Sequence, residues 1–111
     1  MIINNLKIIK MENAKQEVLE AVEGKSKLKC ATIQLGDYRM QKVIKLKVGY
    51  SETEYNDFLK ELDFKYDSGF GGQELFGTIW HEDGTWQERG EYDGSEWWKH
   101  NQLPEIPSEL L

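Results

Sequence analysis

The chain has 111 residues, a formal net charge of −6, 31% charged and 12% aromatic side chains, and a single cysteine, Cys30. That is the length of one domain, 1–111, able to bury a core without metal or disulfide support. One cysteine excludes an internal disulfide and a thiolate metal cluster, and favours a reducing compartment. Met1-Ile2-Ile3 gives way at once to Asn4, Asn5 and Lys7, too short an apolar run for a signal peptide, and no stretch reaches membrane-spanning length. A cytoplasmic protein with no membrane partner is expected.

The net charge hides a split. Residues 1–50 carry ten bases against five acids, a net of +5, while residues 51–111 carry four bases against fifteen acids, a net of −11. Such asymmetry can choose partners, although solvated faces of a single sheet would read the same way.

In chain order, residues 1–10 fit either a strand or the first turn of a helix. From Met11 the pattern is helical, with Met11, Ala14, Val18, Ala21 and Val22 on one face and Gly24 as a stop. Two strands follow. In the first, Ala31, Ile33 and Leu35 alternate with Cys30, Thr32 and Gln34, and Gly36-Asp37-Tyr38-Arg39 reads as the turn. In the second, Ile44, Leu46, Val48 and Tyr50 alternate with Lys45 and Lys47. Ser51 and Glu54 then form a capping box, and Tyr55, Phe58, Leu59 and Leu62 follow at helical spacing. Phe64 and Tyr66 open a short strand. The loop Ser68-Gly69-Phe70-Gly71-Gly72 lacks the Lys-Ser/Thr ending of a phosphate-binding loop, so Phe70 is of more interest as a contact residue.

All four tryptophans fall between Trp80 and Trp98, in a segment that reads as a three-stranded meander. If Gly84 takes the left-handed position after a type I turn, His81 faces Thr85 and Trp80 faces Trp86. A two-residue Asp83-Gly84 turn would instead set Trp80 opposite Gln87. The first register is preferred because it pairs two indoles. At Asp93-Gly94 a two-residue turn sets Tyr92 opposite Ser95, Gly90 opposite Trp97 and Glu88 opposite Lys99. Trp80, Trp86 and Trp97 then share a face expected to be core. Adjacent Trp98 points the other way, beside Arg89. Residues 102–111, with Pro104 and Pro107, read as an extended tail that either packs over the sheet or hangs loose.

His81 and His100 are the only histidines and lack metal-ligand spacing, so no metal, cofactor or catalytic residue is assigned. Trp, Tyr and Arg dominate interface energetics, which makes Trp98, Arg89, Tyr92 and Phe70 the candidate partner-binding residues. A second reading is nucleic-acid binding through Lys42, Lys45 and Lys47. A third is a small hydrolase or sugar-binding domain using Trp and paired carboxylates, such as Glu88 with Glu91 or Glu82 with Asp83.

The run Gly77-Thr78-Ile79-Trp80, Asp83-Gly84-Thr85-Trp86, Glu91-Tyr92-Asp93-Gly94-Ser95-Glu96-Trp97-Trp98 and Pro104-Glu105-Ile106-Pro107 resembles the ending of small uncharacterised proteins of tailed phages. The resemblance implies a phage or prophage accessory protein that binds a host or defence protein in the host cytoplasm, and it supplies no catalytic residue. The expected fold is α+β, in the order α-β-β-α-β-β-β, with two helices on one face of an antiparallel sheet. Exposed aromatics and sheet edges make a homodimer a further expectation.

Overall fold

Alternating strands and two capped helices build an α+β fold in the computed structural model, which describes residues 11–36, 41–67, 72–92 and 95–111. Residues 1–10, the Asp37 to Arg39 turn, Phe70 and the Asp93-Gly94 turn lie outside the described residues. The elements run β1 (Met11–Asn13), α1 (Ala14–Val22), β2 (Leu28–Gly36), β3 (Gln41–Leu46), α2 (Glu52–Glu61), β4 (Lys65–Asp67), β5 (Leu75–His81), β6 (Trp86–Tyr92) and β7 (Ser95–Asn101). A 3-10 turn, Ser108–Leu110, follows in the tail. A five-stranded antiparallel sheet has the order β3-β2-β5-β6-β7, and β1 pairs with β4 in a separate two-stranded ribbon.

The first helix starts later than the periodicity suggests. Asn13 is its N-cap, with Oδ1 accepting from the Gln16 amide at 2.9 Å, so Met11 belongs to β1 opposite Asp67. An asparagine side chain that satisfies a first-turn amide outweighs the helical spacing of one preceding methionine. The second helix follows the sequence closely. The Ser51 Oγ accepts from the Glu54 amide at 3.1 Å, and the Glu54 carboxylate accepts from the Ser51 amide at 2.9 Å. These bonds hold the Glu54 carboxyl below its ordinary pKa range.

Both helices turn their apolar side to the same face of the sheet. Ala14 and Val18 of α1, with Phe58 of α2 and Leu62 at its C-cap, join Ala31, Ile33, Leu35, Ile44, Leu46, Leu75, Ile79 and Tyr66 in one buried cluster. Each fully buried Leu or Ile contributes about 1.5–3 kcal/mol, so this face sets the orientation of the sheet.

The preferred hairpin register is the one that forms. The His81 amide donates to the Thr85 carbonyl at 2.9 Å, Gly84 takes φ 88°, and Trp80 pairs with Trp86. In the second hairpin Tyr92 pairs with Ser95, Gly90 with Trp97 and Glu88 with Lys99, as the sequence suggests. The tail does not cover the sheet: Leu103 and Ile106 are 75% and 60% exposed.

One strand position is closed to any other residue. Gly77 has φ 152°, and a Cβ there would lie 2.5 Å from the Thr32 carbonyl oxygen of β2. Gly77→Ala must either part β2 from β5 or strain the backbone, and is expected to cost about 2–3 kcal/mol, read as a lower urea midpoint.

Candidate functional site

The two faces of the β6–β7 hairpin do opposite jobs, and the buried one is polar. Gln87, Arg89, Glu96 and Trp98 point toward the helices. The side chains of Arg89 and Glu96 are 1% and 0% exposed, with Arg89 Nη2 donating to Glu96 Oε1 at 3.1 Å. Arg89 Nη2 also donates to the Tyr66 hydroxyl at 2.5 Å, and that hydroxyl donates to Glu17 of α1. Glu17 lies 3.8 Å from Arg89 Nη1, within ion-pair reach. The guanidinium sits over the Trp98 ring, 5.1 Å from its centroid. Glu96 further accepts from the backbone amides of Glu74 and Leu75, at 2.9 and 3.1 Å, and so ties β7 to the start of β5.

Burial of this knot shows in its titration. Desolvation drives the Tyr66 hydroxyl far above its ordinary range, with the Glu17 bond adding to the effect, so the phenol stays neutral as a relay between Arg89 and Glu17. Burial also raises the Glu17 carboxyl, against the opposing pull of Tyr66 and Arg89.

A second buried polar group closes the other end. His81 Nδ1 lies 2.7 Å from the Ser26 carbonyl, which can only accept, so this nitrogen carries the proton. His81 Nε2 then accepts from Gln87 Nε2 at 3.0 Å, and the same Gln87 amide donates to the Ala21 carbonyl at 2.8 Å. Both residues are committed to joining the sheet to the segment around α1. Among the described residues no group of three His, Cys, Asp or Glu could hold a metal ion, and no helix is long and apolar enough to cross a membrane.

The proposed contact residues therefore divide across the sheet. Arg89 is buried, and Trp98 is half-buried against the core. The strand alternation puts Tyr92, 76% exposed, on the opposite face. The expectation that Trp80, Trp86 and Trp97 form the core is overturned: Trp80 and Trp97 are 41% and 42% exposed, and Trp86 is half-buried. The reason is that β5 takes its facing from β2. Ala31 and Ile33 fix the inward side, Ile79 pairs with Ala31, and Trp80 pairs with Cys30 on the outer side.

The lysine trio also divides. Lys45 lies on the outer face opposite Thr32, and Lys47 borders the same groove as Trp80. Lys42 has the parity of Ile44, and its Nζ reaches across to donate to the Glu61 carbonyl at 3.0 Å.

What the outer face presents is an aromatic platform that no described helix covers. Three rows cross it. One pairs Val43, Gln34 and Phe76 across β3, β2 and β5, with the Gly90–Trp97 pair of the hairpin on the same face; the next holds Lys45, Thr32, Thr78, Glu88 and Lys99; the third Cys30, Trp80, Trp86 and Asn101. Val43 and Phe76 are 53% and 40% exposed. The Trp97 indole lies on the backbone at Gly90, its ring atoms 2.8–3.0 Å from where a Cβ would stand. A ring laid flat on a strand turns its other π-face outward. Beside Trp80 runs a shallow groove of about 490 Å³ bordered by Cys30, Thr32, Lys45, Lys47 and Val48.

The paired carboxylates do not form a hydrolytic pair. Glu88 and Glu91 fall on opposite faces, and Asp83 accepts from the Thr85 amide and hydroxyl at 3.0 and 2.6 Å. Glu17 and Glu20 line a cleft of about 260 Å³ with Trp97 and Trp98, but they share one helix wall instead of facing each other across a bond. Compared with known proteins, the chain matches no family model, no curated protein and no solved structure.

Two outcomes follow from the buried knot. Glu96→Leu leaves the Arg89 charge short of its main partner and strips two backbone amides of their acceptor. A loss of about 3–5 kcal/mol in urea unfolding is expected. Glu17 gives a pH signature. Its folded-state pKa lies above the ordinary 4.5, so its contribution to stability is full below that value and is lost as pH rises through the folded-state value. The stability of the wild type relative to Glu17→Gln should therefore decline as pH is raised above 4.5, measured by urea midpoints across the acid-to-neutral range.

Proposed function

We propose that this is a non-enzymatic binding protein whose docking surface is the outer face of the five-stranded sheet, not the Trp98–Arg89 pair. The observation that carries this is the row structure of that face, in which Phe76, Trp80, Trp97 and Val43 are each at least 40% exposed. Apolar side chains grouped this way on a sheet are uncommon on a surface that meets only water. The inward face, by contrast, is filled by helices and spends its charges on Arg89, Glu96 and Glu17.

The phage-like ending extends the reading to a phage or prophage accessory protein acting on a host or defence component in the host cytoplasm. Aromatic rings beside a hairpin tip, with Tyr92 at the end of the platform, suit that role because rigid amphipathic rings lose little entropy on binding.

The double variant Trp80→Ser, Trp97→Ser alters rings that are already 41% and 42% exposed, so it should keep the fold and its thermal midpoint within a few degrees. Immobilised on beads and passed over host lysate, it should lose the proteins or nucleic acids that the wild type retains. Equal recovery by both would overturn the outer face as the docking surface.

A further inference from the structure

Resting on that reading, we infer that the occupant of the outer face is single-stranded RNA. Charge is the first reason. The chain has a net charge of −6, yet the outer face gathers Lys45 and Lys99 at the two ends of its middle row, and Lys29 and Lys47 border the grooves beside Trp80. The acid within that row is Glu88. Two copies docked by this same face would bring its lysines toward each other, whereas a polyanion would meet them with opposite charge.

Ring geometry is the second reason. Trp97 lies flat on Gly90 with its free face outward, and Trp80 stands on the opposite outer row beside Trp86. Two strand spacings and four residues of strand separate Trp80 from Trp97, about 16 Å by ideal sheet geometry. That matches about five nucleotides at stacked spacing. Bases stack on aromatic rings whatever their sequence, and phosphates are held by flanking lysines.

The middle row supplies the third reason. Thr32, Thr78 and Glu88 lie between the two aromatic rows. Their hydroxyl and carboxylate oxygens suit a sugar 2′-hydroxyl, which both donates and accepts and which DNA lacks.

The test is fluorescence anisotropy of a labelled oligouridylate of about 15 nucleotides at about 50 mM salt. Binding by the wild type is expected, with Trp80→Ala and Trp97→Ala each weakening it about ten- to hundredfold. Lys45→Gln and Lys99→Gln should each reduce the slope of log affinity against log salt by about 0.7. Lys60→Gln, on α2, should change neither. A deoxyuridylate of equal length should bind several-fold more weakly. No binding at low salt, equal binding of RNA and DNA, or indifference to both tryptophans would overturn the inference. If the oligonucleotide fails while nuclease-treated lysate still yields a protein lost in Trp80→Ser, Trp97→Ser, RNA is refuted and the docking face stands. If that capture too is indifferent to the tryptophans, the docking face falls with it.

Discussion

A buried guanidinium is the constraint around which the C-terminal hairpin is arranged. Arg89 lies beneath Trp98 with its side chain 1% exposed, and a charge so placed costs about 3–5 kcal/mol when its partner is removed. Its partners come from three separate places: Glu96 on the adjacent strand, Tyr66 on the small ribbon and Glu17 on α1. Through these contacts one side chain joins the far edge of the sheet to the helical layer and to the β1–β4 pair. Glu96 extends the link by capping the amides of Glu74 and Leu75. Packing alone would hold β2, β3 and β5, whose inward residues are aliphatic. The β6–β7 hairpin has an inward face of Gln87, Arg89, Glu96 and Trp98, and is held by directed bonds instead.

Because polar groups occupy that inward face, the indoles are left outside. Strand alternation allows Trp97 or Trp98 to join the interior, but not both. Trp98 goes inward because Arg89, its register partner, needs a ring to lie against and a cover from solvent. Trp97 is then committed to the outer side, where Gly90 gives it bare backbone to lie on. Trp80 follows from the other end of the meander, since Ile79 is claimed by the aliphatic face of β2.

The parts of the fold governed by local chemistry were legible in the sequence. The Ser51–Glu54 capping box, the alternation of Ala31, Ile33 and Leu35, and the Gly84 turn each depend on residues close in the chain. Each fixes geometry with few alternatives. The hairpin registers were legible for the same reason. Which side of the meander faces inward was not legible, because it depends on a choice between Ile79 and Trp80 that only the pairing with β2 decides. Hydrophobicity ranks the tryptophans as core, and nothing local signals that an arginine would take the interior. Glu96, on the same face of the hairpin as Arg89 and diagonal to it in the register, was the available clue. The Asn13 cap was a similar small signal, outweighed in the sequence by the spacing of Met11.

The charge asymmetry takes on a different meaning once the faces are assigned. The acidic C-terminal half is not a uniformly acidic surface. Glu96 is buried against Arg89, Asp83 is bound to Thr85 at a hairpin tip, and much of the remaining acidity lies on α2 and at the tail. The basic N-terminal half supplies Lys45 and Lys47 to the outer face through β3 and the residue after it, and Lys99 meets them from the far edge. Segregation along the chain thus becomes segregation across the sheet. Antiparallel pairing brings the two halves together at β2 and β5, so the lysines of one half come to flank the tryptophans of the other.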